Sequence, residues 1–206
     1  MKFILAKKLN MSQVFEEDGK VIPVTIVEAD PVKVTQIKTK ETDGYNAIQV
    51  GFGKKKNIKK PLKGHLKDLG NFRWLREFRI TDKNQLEEQT KYQVGDLIQL
   101  DAFTPGDKVT ISSTSRGKGF QGVVKRHGFH GVRATHGNKD QHRTSGSIGA
   151  TTPQHVIKGK KMAGRTGGEQ VTIKKVQIIK VEPEKNLLYL KGAIPGKRGS
   201  LIKIFS

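Results

Sequence analysis

Gly117-Lys118-Gly119-Phe120-Gln121-Gly122 has the G-x-G-x-x-G spacing of a loop that cradles a dinucleotide's pyrophosphate on backbone amides. A strand-like run precedes it and a helix-like run, Phe120 to His127, follows. That chemistry also requires a parallel βαβ unit with a second apolar strand, and residues 128–160 contain no such run. A nucleotide-dependent oxidoreductase is therefore disfavoured. The same glycines suit close approach of the backbone to a phosphate chain, with Arg116 and Lys118 beside it.

Five of the six histidines lie nearby, at 127, 130, 136, 142 and 155. Their spacing is not that of a zinc site, the chain has no cysteine, and Asp140 is the only carboxylate close by, so no metal is expected. Ser112, Ser113, Ser115 and Ser147 offer hydroxyls, but no acid is placed to orient a histidine as their base. No catalytic residue, cofactor or small-molecule substrate is expected. The chemistry left to these imidazoles is stacking on bases or bonding to sugar and phosphate.

The surrounding segment explains why. Residues 115–168 hold eleven Lys or Arg, twelve Gly and one acid, a net charge of +10 within a total of +20. Residues 1–114 and 169–206 carry only +5 each. Self-repulsion on that scale calls for a polyanion. Lys158, Lys160, Lys161 and Arg165 alternate with Gly159 and Gly164, a pattern that permits tight turns against phosphates while Arg forks their oxygens and Lys adds point charge. The lysines at 54–56 and at 59–60 are equally compatible with a solvated loop.

The partner reads as RNA rather than DNA. No capped basic helix fit for a major groove is visible, whereas an extended Gly-rich arm suits irregular folded RNA. Only Phe120 and Phe129 could stack on bases in the segment, too few for a single-strand platform. A membrane surface would call for a basic amphipathic helix, and none is found. The apolar run Phe3 to Ala6 is too short for a signal-peptide core, no stretch has the length of a membrane span, and a cytoplasmic protein is expected.

The elements that must position this segment lie on either side of it. Val21 to Val27, with Met11 to Phe15 across the turn Glu17-Asp18-Gly19, predicts a hairpin. Val32 to Ile37, Tyr45 to Phe52, Val94 to Leu100, Lys108 to Ser112, Val171 to Val181, Asn186 to Leu190 and Leu201 to Phe205 read as further strands, with Gly, Pro, Asp or Asn between them. Short helices are expected at Pro61 to Asp68, with Pro in the first turn, and at Phe120 to His127; Leu75 to Ile80 is ambiguous. The fold class is mainly β: a small closed or partly open β-barrel with few short helices, built from 1–114 and 169–206, interrupted by a long, irregular Gly/Lys/Arg-rich extension over about 115–168. With so few large apolar groups, the extension is expected to order only when bound.

At this point the residues resemble one family. Ser113-x-Ser115-x-Gly117-Lys118-Gly119-x-x-Gly122-x-x-x-Arg126, inside Phe103 to Arg126, is similar to the signature of the universal large-subunit ribosomal protein L3 family. Ala134-Thr-His-Gly-Asn138, His142-Arg143, Ser147-Ile-Gly149 and Lys158 to Gly164 match as well, as do Lys7-Lys8-x-x-Met11, Asp43 to Val50 and Asn186 to Gly196. The resemblance spans essentially the whole chain and has the length of the bacterial form. Two departures stand out: Thr110 where the signature has Asp or Asn, and Thr151 where some bacterial members carry a methylated glutamine.

The resemblance implies one ribosomal-protein domain over 1–206, a structural constituent of the large subunit and not an enzyme. It implies direct binding to 23S rRNA near its 3′ end, a part in early subunit assembly, a finger directed toward the peptidyl-transferase centre, and ribosomal proteins L14 and L19 as neighbours. Residues expected to contact rRNA are Arg116, Lys118, Lys125, Arg126, Arg133, His136, Asn138, His142, Arg143, Lys158, Lys160, Lys161 and Arg165. The expected tip of the extension is Gly149, Ala150, Thr151, Thr152, Pro153 and Gln154. An RNA or DNA chaperone outside the ribosome is the alternative that the basic arm alone would allow.

Overall fold

Two 13-residue strands, β1 (Phe3–Phe15) and β10 (Gln170–Glu182), form the corners of a closed barrel. Each is too long to keep one partner and changes partner along its length. β1 pairs with β12 (Leu201–Phe205) over Phe3 to Lys7, then with β2 (Val21–Glu28) up to Phe15. β10 pairs with β7 (Lys108–Thr114) as far as Gln177, then with β11 (Leu187–Lys191). The register slips between Lys8 and Met11 and between Ile173 and Val176, where Lys175 takes a φ of 59°. Such bulges bend a strand and raise its twist, as ring closure demands. The barrel order is β1-β12-β7-β10-β11-β2, and every neighbouring pair is antiparallel. The barrel is therefore closed, which decides between the two forms the sequence leaves open.

The computed structural model describes residues 2–80 and 92–206. A second antiparallel sheet, in the order β5-β4-β3-β6, is formed by β3 (Val32–Lys38), β4 (Ala47–Lys54), β5 (Phe72–Arg79) and β6 (Leu97–Ile98). It covers the barrel: Phe78 of β5 lies 4.5 Å, ring centre to ring centre, from Phe3 of β1 and 6.5 Å from Phe205 of β12. Phe3, Ile4, Leu5 and Ala6 are all fully buried, because β1 has the barrel lumen on one face and this sheet on the other. One continuous apolar cluster joins the two sheets, from Phe3 and Phe78 through Ile111, Ile178 and Leu188 to Ile204.

Most expected strands appear close to their expected bounds, and Leu75 to Ile80 resolves into β5. Two expectations are corrected. Val94 to Leu100 keeps only Leu97–Ile98 as strand, because Gly95 turns the chain at φ 106° and Leu100–Ala102 winds into a 3-10 turn. Phe120 to His127 is half strand, since Gly119–Gln121 (β8) pairs with Gly164–Thr166 (β9) and only Val123–His127 is helical. The other α-helices among the described residues are α1 (Lys40–Asp43) and α2 (Lys60–Leu66), the latter with Pro61 in its first turn; Val123–His127 is numbered α3. Among the described residues no helix is long and apolar enough to cross a membrane.

Contacts divide the chain into two compact units, 1–114 with 170–206, and 115–169.

Candidate nucleic-acid interface

The 115–169 unit starts from a short antiparallel ladder. Ser115 donates its backbone N–H to Glu169 at 2.8 Å and Lys118 donates to Thr166 at 2.8 Å, and β8 then pairs with β9 so that Phe120 faces Arg165 in register. Gly167, at φ 73°, closes this base: a side chain there would run into the Arg116 carbonyl. The glycine motif is thus built into an antiparallel ribbon. Gly119 lies in β8 and Gly122 precedes a helix of only five residues, so the parallel unit a dinucleotide needs is absent from this segment.

α3 fastens the outgoing limb to the returning one. Arg126 Nη1 donates to the Met162 carbonyl at 2.8 Å, and His127 Nε2 lies 3.1 Å from the same oxygen. One edge of the Arg126 guanidinium is therefore engaged within the chain, which leaves its other N–H groups for a ligand. Further out, Gly131 at φ 74° sits directly against the His142 carbonyl, which also accepts from Val132 at 3.3 Å. At the far turn, Ser147 Oγ donates to the Gly149 carbonyl at 2.8 Å and His155 Nδ1 lies 2.9 Å from the Pro153 carbonyl. Residues 146–150 and 154–156 line an open cavity there.

Packing within the unit is sparse. Val123 is its only buried apolar residue, while Phe120 is 75% exposed and Ile157 65%. Backbone turns and a few side-chain bonds to carbonyls, rather than a core, hold its shape.

The cations are left facing solvent. Arg116, Lys118, Lys125, Arg126, Arg133, Arg143, Lys158, Lys160, Lys161 and Arg165 are all exposed, as are His136, His142 and residues 149–154; Asn138 is half-buried and donates to the Thr135 carbonyl at 3.3 Å. Every ion pair found among the described residues lies in the barrel unit, between Lys2 and Asp107, Lys7 and Glu28, Lys38 and Asp43 or Glu77, and Lys180 or Lys185 and Glu182. The extension's cations thus keep their full charge for an outside partner. No group of three or more His, Asp or Glu able to hold a metal occurs among the described residues.

Comparison with known proteins agrees with this arrangement. Residues 76–187 match the family model described as ribosomal protein L3. The chain is 45% identical to the large ribosomal subunit protein uL3 of Herpetosiphon aurantiacus, covering 98% of this chain and 94% of that protein. It is 49% identical to uL3 of Carboxydothermus hydrogenoformans, covering 98% and 96%, and 47% identical to uL3 of a Synechococcus species, covering 98% and 93%. A chain with this barrel, this cation-bearing segment and these full-length matches belongs to the ribosomal protein L3 family of the large ribosomal subunit.

Proposed function

We propose that this chain, a structural constituent of the large ribosomal subunit, holds 23S rRNA near its 3′ end through residues 115–169 and takes part in early assembly. The barrel anchors the segment at both ends, and Gly149 to Gln154 form the tip directed toward the peptidyl-transferase centre. Ribosomal proteins L14 and L19 are its protein neighbours. The protein works in the ribosome, and so in the cytoplasm, as an architectural component and not as a catalyst.

The observation that carries this reading is the set of exposed, unpaired cations in a segment with almost no core of its own. Lysine and arginine there replace counterions, so that RNA helices can approach one another. Arg116, Lys118, Arg133, Arg143, Lys158, Lys160, Lys161 and Arg165 are the phosphate contacts, with Lys125 and Arg126 on α3 beside them. His136, Asn138 and His142 meet sugars or bases. If about eight phosphates are neutralised, the log–log salt dependence of binding has a slope of roughly −6. Filter binding of the full chain to a 23S rRNA 3′-domain transcript across a salt series measures it. A slope near zero would overturn the electrostatic mechanism.

A further inference from the structure

A cavity of about 370 Å³ opens within the barrel unit, bounded by β5 on one side and by β7, β10 and β12 on the other. Arg76 comes from β5, Ser112 and Thr114 from β7, Gln170 from β10 and Lys203 from β12. Among the described residues no carboxylate lines it, in a unit that holds most of the chain's acids.

Its polar groups are arranged to donate. Ser112 Oγ accepts from Gln170 Nε2 at 2.8 Å and from Thr172 Oγ1 at 3.1 Å, which leaves the serine's own O–H to give away. Gln170 keeps its second amide hydrogen. Arg76 is exposed, and the one bond it makes within the described structure runs from Nη1 to the Leu75 carbonyl at 2.9 Å.

Lys203 is the unusual member. Its ammonium is half-buried over the rings of Phe78, at 4.4 Å, and Phe205, at 5.7 Å, and donates to the Glu77 carbonyl. No carboxylate bonds to it among the described residues. The nearest acid, Glu77, already takes bonds from Tyr45 at 2.8 Å and from Lys38 at 3.1 Å. Burial makes the charged form of Lys203 costly; the charge of Glu77 offsets this only in part, and Arg76 and Arg79 add repulsion. A desolvated cation beside a second cation, with donors around them and no carboxylate bonded to either among the described residues, is a site that an anion would complete.

We propose that this cavity holds one backbone phosphate of the RNA, gripped by Arg76 and Lys203 together, with the Ser112 hydroxyl and the Gln170 amide completing the shell. This rests on the RNA-binding reading above and adds a contact outside residues 115–169. Thr114 and Gln170, where the chain leaves for that segment and returns from it, are part of the cavity lining.

The test uses the full chain and the same 23S rRNA transcript, with Arg76→Gln, Lys203→Met, the double variant, and Lys160→Gln in the extension. Each pocket variant is expected to reduce the steepness of the salt dependence by about 0.8, one phosphate's worth. The double variant should lose no more than that, because both cations act on the same phosphate. Unchanged slopes for the pocket variants alongside a reduced slope for Lys160→Gln would overturn the pocket and leave the extension reading intact. Unchanged slopes for all four would overturn both. A double variant that loses twice the single effect would mean two separate phosphates and would refute the shared grip. Should Lys203→Met fail to fold, Arg76→Gln at an exposed position decides the matter. Titration with inorganic phosphate separates the sources: displacement of the Gln170 side-chain amide resonances without any change in RNA slope would assign the cavity to free phosphate and count against the proposal.

Discussion

Thr114 and Gln170 are register partners, facing each other across β7 and β10 at the point where the ladder ends. The 55 residues between them therefore leave and re-enter the barrel at one place, like a hairpin loop grown long. Replacing 115–169 by a two-residue Asn-Gly turn should leave the barrel folded, since that turn joins adjacent antiparallel strands without strain. Far-ultraviolet circular dichroism should keep its β signature and thermal unfolding should stay cooperative, while affinity for the rRNA transcript drops steeply. Loss of β structure would show that the barrel depends on the segment.

The base of the extension depends on Gly167. An alanine there must adopt a left-handed backbone, at a cost of about 1–2 kcal/mol, before the collision with the Arg116 carbonyl is counted. Gly167→Ala should loosen the Lys118-to-Thr166 hydrogen bond and speed amide exchange at Lys118 and Phe120. The barrel amides, such as those of Ile111 and Ile178, should be unaffected. Exchange that rises across the whole chain would contradict this separation.

Phe78 joins the covering sheet to the barrel. Truncation to alanine removes its ring contacts with Phe3 and Phe205 and the platform under the Lys203 ammonium. A loss of about 3–5 kcal/mol is expected, measured as a shift of the denaturant midpoint. A loss under about 1 kcal/mol would mean that the two sheets hold together by other contacts.

Three carboxylates supply stability that acid removes, while Asp30, raised chiefly by burial, works in the opposite sense. The hydrogen bond from Lys2, helped by the Thr104 amide, holds the Asp107 carboxyl below its usual range. The hydrogen bond from Lys180 does the same for Glu182. At Glu77 burial pushes upward, but the bonds from Tyr45, Lys38 and Gln49 outweigh it and the result is again lowered. Each folded value lies below the unfolded one, so the stability these groups supply is complete above about pH 4.5 and is lost as pH falls through the folded values. Tm should be level from neutral down to that point and decline below it, and Lys2→Met should shrink the decline. A Tm that rises on acidification would refute the assignment.

The sheet elements were legible wherever neighbours in sequence carry the signal. Val21 to Val27 and Leu201 to Phe205 alternate or branch at Cβ as strands do, and they appear where expected. What failed were elements fixed by distant partners. Gly119–Gln121 has no strand character of its own and extends only because Gly164–Thr166 lies against it. Leu100 turns into the core where a strand would have continued. Phe3 to Ala6 looked like a short apolar run, and nothing local says that both its faces are covered. The exposure of Lys158, Lys160 and Arg165 was readable from the missing acids around them. The Arg76 and Lys203 cavity was not, because its walls come from four strands scattered between residues 72 and 205.

Phe3 pairs with Phe205, ~200 residues further along the chain, so the seam that seals the barrel joins its first strand to its last. In a nascent polypeptide β12 emerges after the other strands of the barrel, and until it does β1 and β7 each lack a neighbour. The cationic segment is complete well before that moment. On the RNA-binding reading proposed above, the arm can engage RNA while the body that holds it is still an open sheet.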